Sequence, residues 1–402
     1  MTKQKANPGG QIDPKNVIGR DKIIETIWDT LEQQSIRITA ERRIGKTSII
    51  KKMCAEPRPG WTPIFQDLEK FHSTSDFALG IYREVAQFLG KQSRMTRHAN
   101  EILKNLGGIE IGGLIRLPKA TKSIPWKDTL ENTIRDLIEE QAKLDTKLLF
   151  LWDEVPFMLD NIKKREGEQA AMEVLDTLRG LRQSYAEKGL RMVITGSIGI
   201  HHVIKALKGE GYANSPLNDL FSITIDPLMP EHANTLAAQL FAGEMIDLPD
   251  TFHQATCDAV TQASDGFPFY IHHIIKALKI QGIQASPESI EDVVQDQMVD
   301  ANDPWELAHY RDRLSTYYGE NNESAALSIL DSLAEPNEST GTSSVNELLQ
   351  TLKNCDVVIE RDKLVQLLRL MEQDHYLKRN AAGHYHFQFP LLKRWWRLSR
   401  GL

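Results

Sequence analysis

The sequence predicts a three-part chain: a parallel-sheet α/β core, a helical segment behind it, and a C-terminal unit of three helices and a hairpin. Two observations predict the core. Strand and helix patterns alternate as far as Leu228, the mark of a parallel sheet covered by helices. Within that stretch "LLFLW" is an unbroken apolar run, as expected of a strand buried on both faces. A third observation separates the rest: beyond Leu228 the apolar spacing turns helical and stays so until "YLKRNAAGHYHFQF", which reads as a short hairpin. The boundaries that follow are a flexible N-terminus over 1–15, a core over 16–228, a helical lid over 229–300, and an acidic linker with a winged helix over 301–402.

Taken in order, Ile23, Ile27 and Leu31 recur at helical spacing after Asp21, a good N-cap residue. "SIRITA" alternates as a short strand, and a helical pattern runs from Ser48 through Met53. "WTPIFQDLE" reads as a second strand, followed by a helix through "SDFALGIYREVAQFLG". Residues 94–126, rich in glycine, read as an irregular or hairpin insertion. Leu130, Ile134, Leu137 and Ile138 mark the next helix, and "KLLFLWDE" a buried strand. A long helix through "EQAAMEVLDTLRGLRQSYAEKG" leads to the strands "LRMVITGS" and "LFSITIDPL". Three lid helices follow, "EHANTLAAQLFAGEM", "DTFHQATCDAVTQAS" and "FPFYIHHIIKALKIQ", while "NNES" and "EPNESTGTSS" read as flexible or turn-rich. Helices over Ala325–Leu333, Val345–Leu352 and Arg361–Glu372, with the hairpin, make a winged helix.

The 402 residues suffice for two or three domains with real cores, at 41% hydrophobic and 26% charged, an ordinary globular composition. No apolar run approaches the roughly 20 residues that span a bilayer. The first residues lack the apolar core of a secretory signal, and Cys54, Cys257 and Cys355 are few and scattered. A cytoplasmic protein with reduced thiols, no membrane partner and no zinc is the expectation. The net charge of -7 is uneven: residues 281–340 hold thirteen acidic side chains against two basic ones, and residues 361–402 hold nine basic against three acidic. Such a belt and tail imply internal docking or an anionic partner.

The chemistry starts at "ITAERRIGKTSIIKK". A phosphate loop needs backbone N–H groups converging at a helix N-terminus, a lysine for the β/γ-phosphates and a hydroxyl for magnesium. Gly45, Lys46 and Thr47 supply these between a strand and a helix, with Ser48 beside them. Ala40 stands where such loops open with glycine; it is tolerated at negative φ and costs about 1–2 kcal/mol at positive φ. A buried strand then ends in Asp153 and Glu154, 107 and 108 residues after Lys46, which leaves room for an intervening strand. Ligands of open α/β sheets bind at that edge. Asp153 would hold magnesium through its water shell and Glu154 would polarise the attacking water. Ser197, ending the next strand, either reaches the γ-phosphate or is a turn serine.

"VIGRDKIIETIWDTL", "AERRIGKTS", "LLFLWDEVP", "VITGS", "DPL" and "DGFPFYIHHII" fall in the order seen in archaeal-type ATPases, and over about residues 16–280 the chain resembles that family. The family is a STAND branch of the AAA+-related P-loop NTPases, and "YHFQFPLLKRWW" looks like the end of its winged-helix domain. The resemblance implies an α/β P-loop NTPase core of RecA/AAA+ type followed by a helical lid and a winged-helix domain, with ATP and Mg2+ as ligands. It implies that Ile18 and Gly19 border the adenine, and that Gly266 and Pro268 place the lid against the nucleotide. Arg42 and Arg43, beside Ile44, either sense phosphate charge or form salt bridges at the loop surface.

Other candidates are weaker. His201–His202 and His272–His273 lack companions at metal-ligand spacing and read as helix residues. Lys393, Arg394, Trp395, Trp396, Arg397 and Arg400 mix basic and aromatic groups, which suits nucleic acid, but an amphipathic helix docking its tryptophans is favoured. "RDKLVQLLRLMEQD" is too balanced in charge for a major-groove helix. The expectation is a slowly hydrolysing ATPase switch that passes its state to a protein partner or its own oligomer, in signalling or defence. A DNA-associated AAA+ ATPase acting through the winged helix is the alternative.

Overall fold

In a computed structural model, the described residues are 3–91, 97–111, 114–117, 124–196, 199–208, 215–249, 253–335 and 341–402. The chain divides into two compact units. One comprises Arg20–Thr39 and Lys46–Ile225; the other comprises Met1–Gly19, Ala40–Gly45 and Asp226–Leu402.

The first unit is built on five parallel strands, β1 (Ile36–Thr39), β2 (Trp61–Asp67), β5 (Lys147–Asp153), β6 (Leu190–Ile194) and β7 (Phe221–Thr224). Their order is β2-β5-β6-β1-β7, so β6 lies beside β1 and separates it from β5. The helices are α1 (Asp21–Leu31), α2 (Lys46–Ala55), α3 (Thr74–Lys91), α4 (Arg97–Asn105), α5 (Trp126–Ala142), α6 (Val155–Glu166), α7 (Glu168–Tyr185) and α8 (Ile200–Lys208). Alternation along β5 sorts its side chains. Leu148, Phe150 and Trp152 enter a core with Phe77, Ile81, Leu130, Ile134 and Leu175 of α3, α5 and α7. Leu149, Leu151 and Asp153 share the other face, and α2 packs against β5 and β2.

The insertion after α3 contains the expected hairpin, β3 (Ile109–Ile111) with β4 (Leu114–Arg116). It also contains α4, which the sequence reading lacks. Asp136 of α5 caps that helix, accepting the His98 and Ala99 N–H groups at 3.2 and 3.0 Å. One further boundary differs from expectation: the loop helix α2 starts at Lys46 rather than Ser48. After the strand, "VPFML" opens α6, with Pro156 in its first turn.

The second unit contains α9 (Pro230–Glu244), α10 (His253–Ala263), α11 (Pro268–Gln281), α12 (Pro287–Val299), α13 (Ala308–Tyr317), α14 (Glu320–Ala334), α15 (Val345–Asn354), α16 (Arg361–Gln373), β8 (Leu377–Arg379), β9 (Tyr385–Phe387) and α17 (Pro390–Arg400). The lead-in expected to be flexible is instead fastened to α9 and α11. Gln4 N–H donates to Gln239 O at 3.2 Å, Ala6 N–H to the Glu244 carboxylate at 2.8 Å, and Asn7 N–H to His272 Nδ1 at 3.1 Å. A Cβ on Gly243 would stand 1.7 Å from Gln4 O, so only glycine admits this strap. The acidic stretch is largely helical. "NNES" falls inside α14, whose first turn places Glu320 and Glu323 at the positive end of the helix dipole.

Helices α14 to α16 followed by the antiparallel β8–β9 pair have the element order expected of a winged helix, with Ser343 bridged to Tyr385. Ser344 and Glu347 form a capping box on α15. α17 buries Leu391, Leu392, Trp395 and Trp396, and Trp396 Nε1 donates to Asp331 at 2.8 Å. The docking reading of the tryptophans holds. The neighbouring cations face the acidic stretch, Arg394 pairing with Glu291 at 2.5 Å and Arg400 with Asp331 at 2.6 Å. Among the described residues no helix is long and apolar enough to cross a membrane.

Candidate functional site

Strand β1 ends at Thr39 and the chain runs through 40–45 straight into α2. Ala40 keeps a negative φ, so the missing glycine carries no backbone cost. The left-handed positions are Arg43 (φ 68°) and Gly45 (φ 99°). A Cβ on Gly45 would meet nothing within 4 Å, so its φ rather than crowding demands glycine. Lys46 is the first residue of α2 and is buried; Thr47 is exposed and Ser48 half-buried. The first turn of a helix is where backbone N–H groups and the helix dipole together favour an anion.

Opposite that turn lies Asp153. Because it shares the face of Leu149 and Leu151, its carboxylate meets α2. Thr47 Oγ1 donates to Asp153 Oδ2 at 2.5 Å. The other oxygen, Oδ1, accepts Thr195 Oγ1 at 2.5 Å and Glu154 N–H at 3.1 Å. Asp153 is 3% exposed, so these donors replace the water that a buried carboxylate loses. Thr195, just past β6, is the residue that sequence reasoning missed: it lies in "VITGS", two positions before Ser197. Ser197 falls outside the described residues.

Glu154 follows in a left-handed conformation (φ 56°, ψ 35°) at the N-cap of α6. For a residue with a Cβ this costs about 1–3 kcal/mol, a strain that clusters at functional sites. It is held by Val155 N–H, which donates to Thr195 O at 3.1 Å, and by Met158 N–H, which donates to Glu154 O at 3.2 Å. The strand thus turns into a helix within one residue. A hydroxyl (Thr47) and a carboxylate (Asp153) form a hard-oxygen donor set that fits Mg2+.

Within its own unit the loop is gripped by charged groups. Arg313 donates to Glu41 through Nη2 at 3.0 Å and Nη1 at 3.5 Å, and His309 Nε2 is 3.8 Å from the same carboxylate. Burial alone would raise the Glu41 carboxyl; Arg313 and His309 outweigh it and hold it well below the usual range. Arg43 pairs with Glu306 and lies 4.5 Å over the Phe269 ring, and Arg42 reaches Glu306 at 3.2 Å. Of the two readings of these arginines, the structure contains the salt bridges.

The remaining residues implied by the resemblance lie in this unit too. Ile18 is half-buried, and Gly19 (φ 67°) approaches α9 so closely that a Cβ would stand 2.6 Å from His232 Cβ. Gly266 (φ 71°) accepts Leu228 N–H at 2.9 Å, and its Cβ would stand 2.5 Å from Leu228 O. Pro268 then starts α11. Asp265 of the same turn accepts Leu391 N–H at the start of α17 at 2.5 Å. Burial raises its carboxyl to about 6.

No family model matches the chain, and no curated protein matches it by sequence. Among solved structures it is similar to a Walker-type ATPase of Pyrococcus abyssi, with a TM-score of 0.61 at 14% identity, covering 99% of this chain and 98% of that one. It is also similar to the ORC2 protein of Aeropyrum pernix, solved in ADPNP–ADP complexes, with a TM-score of 0.54 at 11% identity over 98% and 96% of the two chains. At these identities the likeness is one of fold: a parallel-sheet core of the P-loop ATPase kind with a helical region behind it.

Proposed function

We propose that this protein binds ATP with Mg2+ and hydrolyses it slowly, as a switch whose nucleotide state governs a protein partner or self-assembly. The observation that carries the reading is the Thr47–Asp153–Thr195 chain of hydrogen bonds at the first turn of α2. A buried carboxylate aimed at the hydroxyl that follows a loop lysine has a ready use in phosphate and metal binding. The fold neighbour from Aeropyrum pernix, with its ADPNP–ADP complexes, supports the same ligand class.

In this reading the N–H groups and Lys46 at the start of α2 hold the β/γ-phosphates. Thr47 and Asp153 hold the metal ion, which when bound neutralises charge developing on the transferred phosphoryl group. Thr195 keeps Asp153 turned toward Thr47. Glu154 orients and polarises the attacking water. Ile18, Gly19, Gly266 and Pro268 carry over as nucleotide-bordering positions only through the family resemblance. Signalling or defence as the setting rests on fold-level analogy.

Titration of the full chain with ATP and Mg2+ tests this. Saturable, Mg2+-dependent binding that Lys46→Ala removes supports the reading, and unchanged binding in Lys46→Ala refutes it. A DNA-associated ATPase shares the fold of the ORC2 neighbour, but the pairing of Arg394 and Arg400 with Glu291 and Asp331 favours the switch.

A further inference from the structure

The phosphate-loop segment 40–45 belongs to the same compact unit as the C-terminal helices, and Arg313 touches both. The Arg313 side chain of α13 is 13% exposed and that of Glu41, which is buried, 2%. While Nη2 and Nη1 engage Glu41, Nη1 also donates to the backbone carbonyl of Asp374 at 2.8 Å, at the C-cap of α16. The Asp374 carboxylate accepts Tyr318 Oη at 2.7 Å, and Tyr376 Oη donates to Tyr310 O at 2.6 Å. The Arg313 guanidinium lies 5.4 and 5.8 Å from the Tyr310 and Tyr376 rings. The guanidinium is therefore enclosed, with one edge on the loop and the other on the helix that precedes the β8–β9 hairpin.

We infer that Arg313 is a positioning residue that couples nucleotide occupancy of the phosphate loop to the C-terminal helix–hairpin unit. The inference rests on the ATP reading above and adds to it the route by which the switch reports its state. Glu41 stands five residues before Lys46 on the same chain. A change in loop conformation on phosphate binding is thus felt at Glu41. A buried bidentate ion pair cannot stretch to follow it, because either charge left alone in that site is costly. The pair moves as one, and Asp374 O moves with it. By linkage, whatever fixes the C-terminal unit must also alter ATP affinity.

The test uses the full chain and three variants: Lys46→Ala, Arg313→Lys, and the double Glu41→Gln/Arg313→Met, which removes both buried charges at similar volume. ATP affinity is read by titration, and hydrogen exchange of residues 361–400 is followed with and without ATP. The parent should bind ATP and show ATP-dependent exchange in that segment. The double variant, folded by circular dichroism, should lose the ATP-dependent exchange and shift ATP affinity by about tenfold, in the ordinary range of coupling between sites. Arg313→Lys, which keeps the charge but not the forked contacts, should restore only part of either response. A folded double variant with the parent's affinity and the parent's exchange response overturns the coupling while leaving ATP binding intact. If the parent itself binds no ATP, or Lys46→Ala binds as well as the parent, the functional reading fails and the coupling with it.

Discussion

Removing one charge of the Glu41–Arg313 pair should destabilise the protein far more than removing both. At 3.0 Å the pair attracts by about 5 kcal/mol at an effective dielectric of about 20. Burying each ion costs several kcal/mol, so attraction and desolvation nearly cancel. Take away the Glu41 charge alone and Arg313 keeps its desolvation cost without its partner; the expected loss is about 3–5 kcal/mol for Glu41→Gln or Arg313→Met. The double Glu41→Gln/Arg313→Met should lie within about 2 kcal/mol of the parent, giving a coupling of about 4 kcal/mol or more in the double-mutant cycle. Urea unfolding followed by tryptophan fluorescence measures this, since Trp305, Trp395 and Trp396 are all buried in the unit that holds the pair. Acid adds a second check. Glu41 is held below its ordinary 4.5, so the folded state binds fewer protons than the unfolded one, and the pair's contribution is intact above about 4.5 and lost as pH falls below it. Single variants that each cost under about 1 kcal/mol, with additive effects in the double, would refute the claim that this pair is buried and coupled.

Other outcomes follow from the site and its surroundings. Glu154→Gln should bind ATP yet turn it over about 100-fold more slowly, whereas Asp153→Ala should lose the Mg2+-dependent part of binding; parent-like turnover in Glu154→Gln would put the base elsewhere. Burial holds His272 and His273 down to about 4 from an ordinary 6.5. The unfolded chain therefore takes up more protons, and stability should decline as pH falls from about 6.5 to 4. Asp265, raised to about 6, works the other way between about 6 and 3.8, so Asp265→Asn should steepen the acid loss seen in urea titrations at stepped pH. Duplex DNA should bind only weakly, because Arg394 and Arg400 already face carboxylates. Sub-micromolar binding at physiological salt, lost when Lys393, Arg394, Arg397 and Arg400 are replaced together, would favour the DNA-associated reading.

Much of the core was legible because its signals are local. The apolar run before Asp153 needs burial on both faces and places Asp153 at the strand's C-terminal end, whereas the packing of α2 on the face it shares with Leu149 and Leu151 comes only from the fold. The loop was legible as strand, glycine, lysine, hydroxyl and helix. Interactions across long sequence separations were not. Helix α4 owes its start to Asp136, 38 residues beyond His98, and the N-terminal strap to groups on α9 and α11 more than 230 residues away. Thr195 was passed over because a strand-end threonine looks like a β-former until Asp153 is seen opposite it.

In the acidic stretch the helix expected over Ala325–Leu333 is present but longer: α14 takes in "NNES", expected to be flexible or turn-rich, since Glu320 and Glu323 in its first turn favour the helix dipole and Ala326, Ile329, Leu330 and Leu333 recur on one face and are buried. Once helical, the stretch can hold its charges at fixed positions. Glu291 and Asp331 then meet Arg394 and Arg400 of α17, while Glu306 meets Arg42 and Arg43 of the loop. Exposed pairs of this kind contribute at most about 1 kcal/mol each. Their effect is on availability: a phosphate group, on a nucleotide or a nucleic acid, must compete with a carboxylate already in place. Arg313, buried against Glu41, is the one arginine in residues 301–320 whose release would cost more than that, which is why the coupling is assigned to it rather than to the pairs at Glu306.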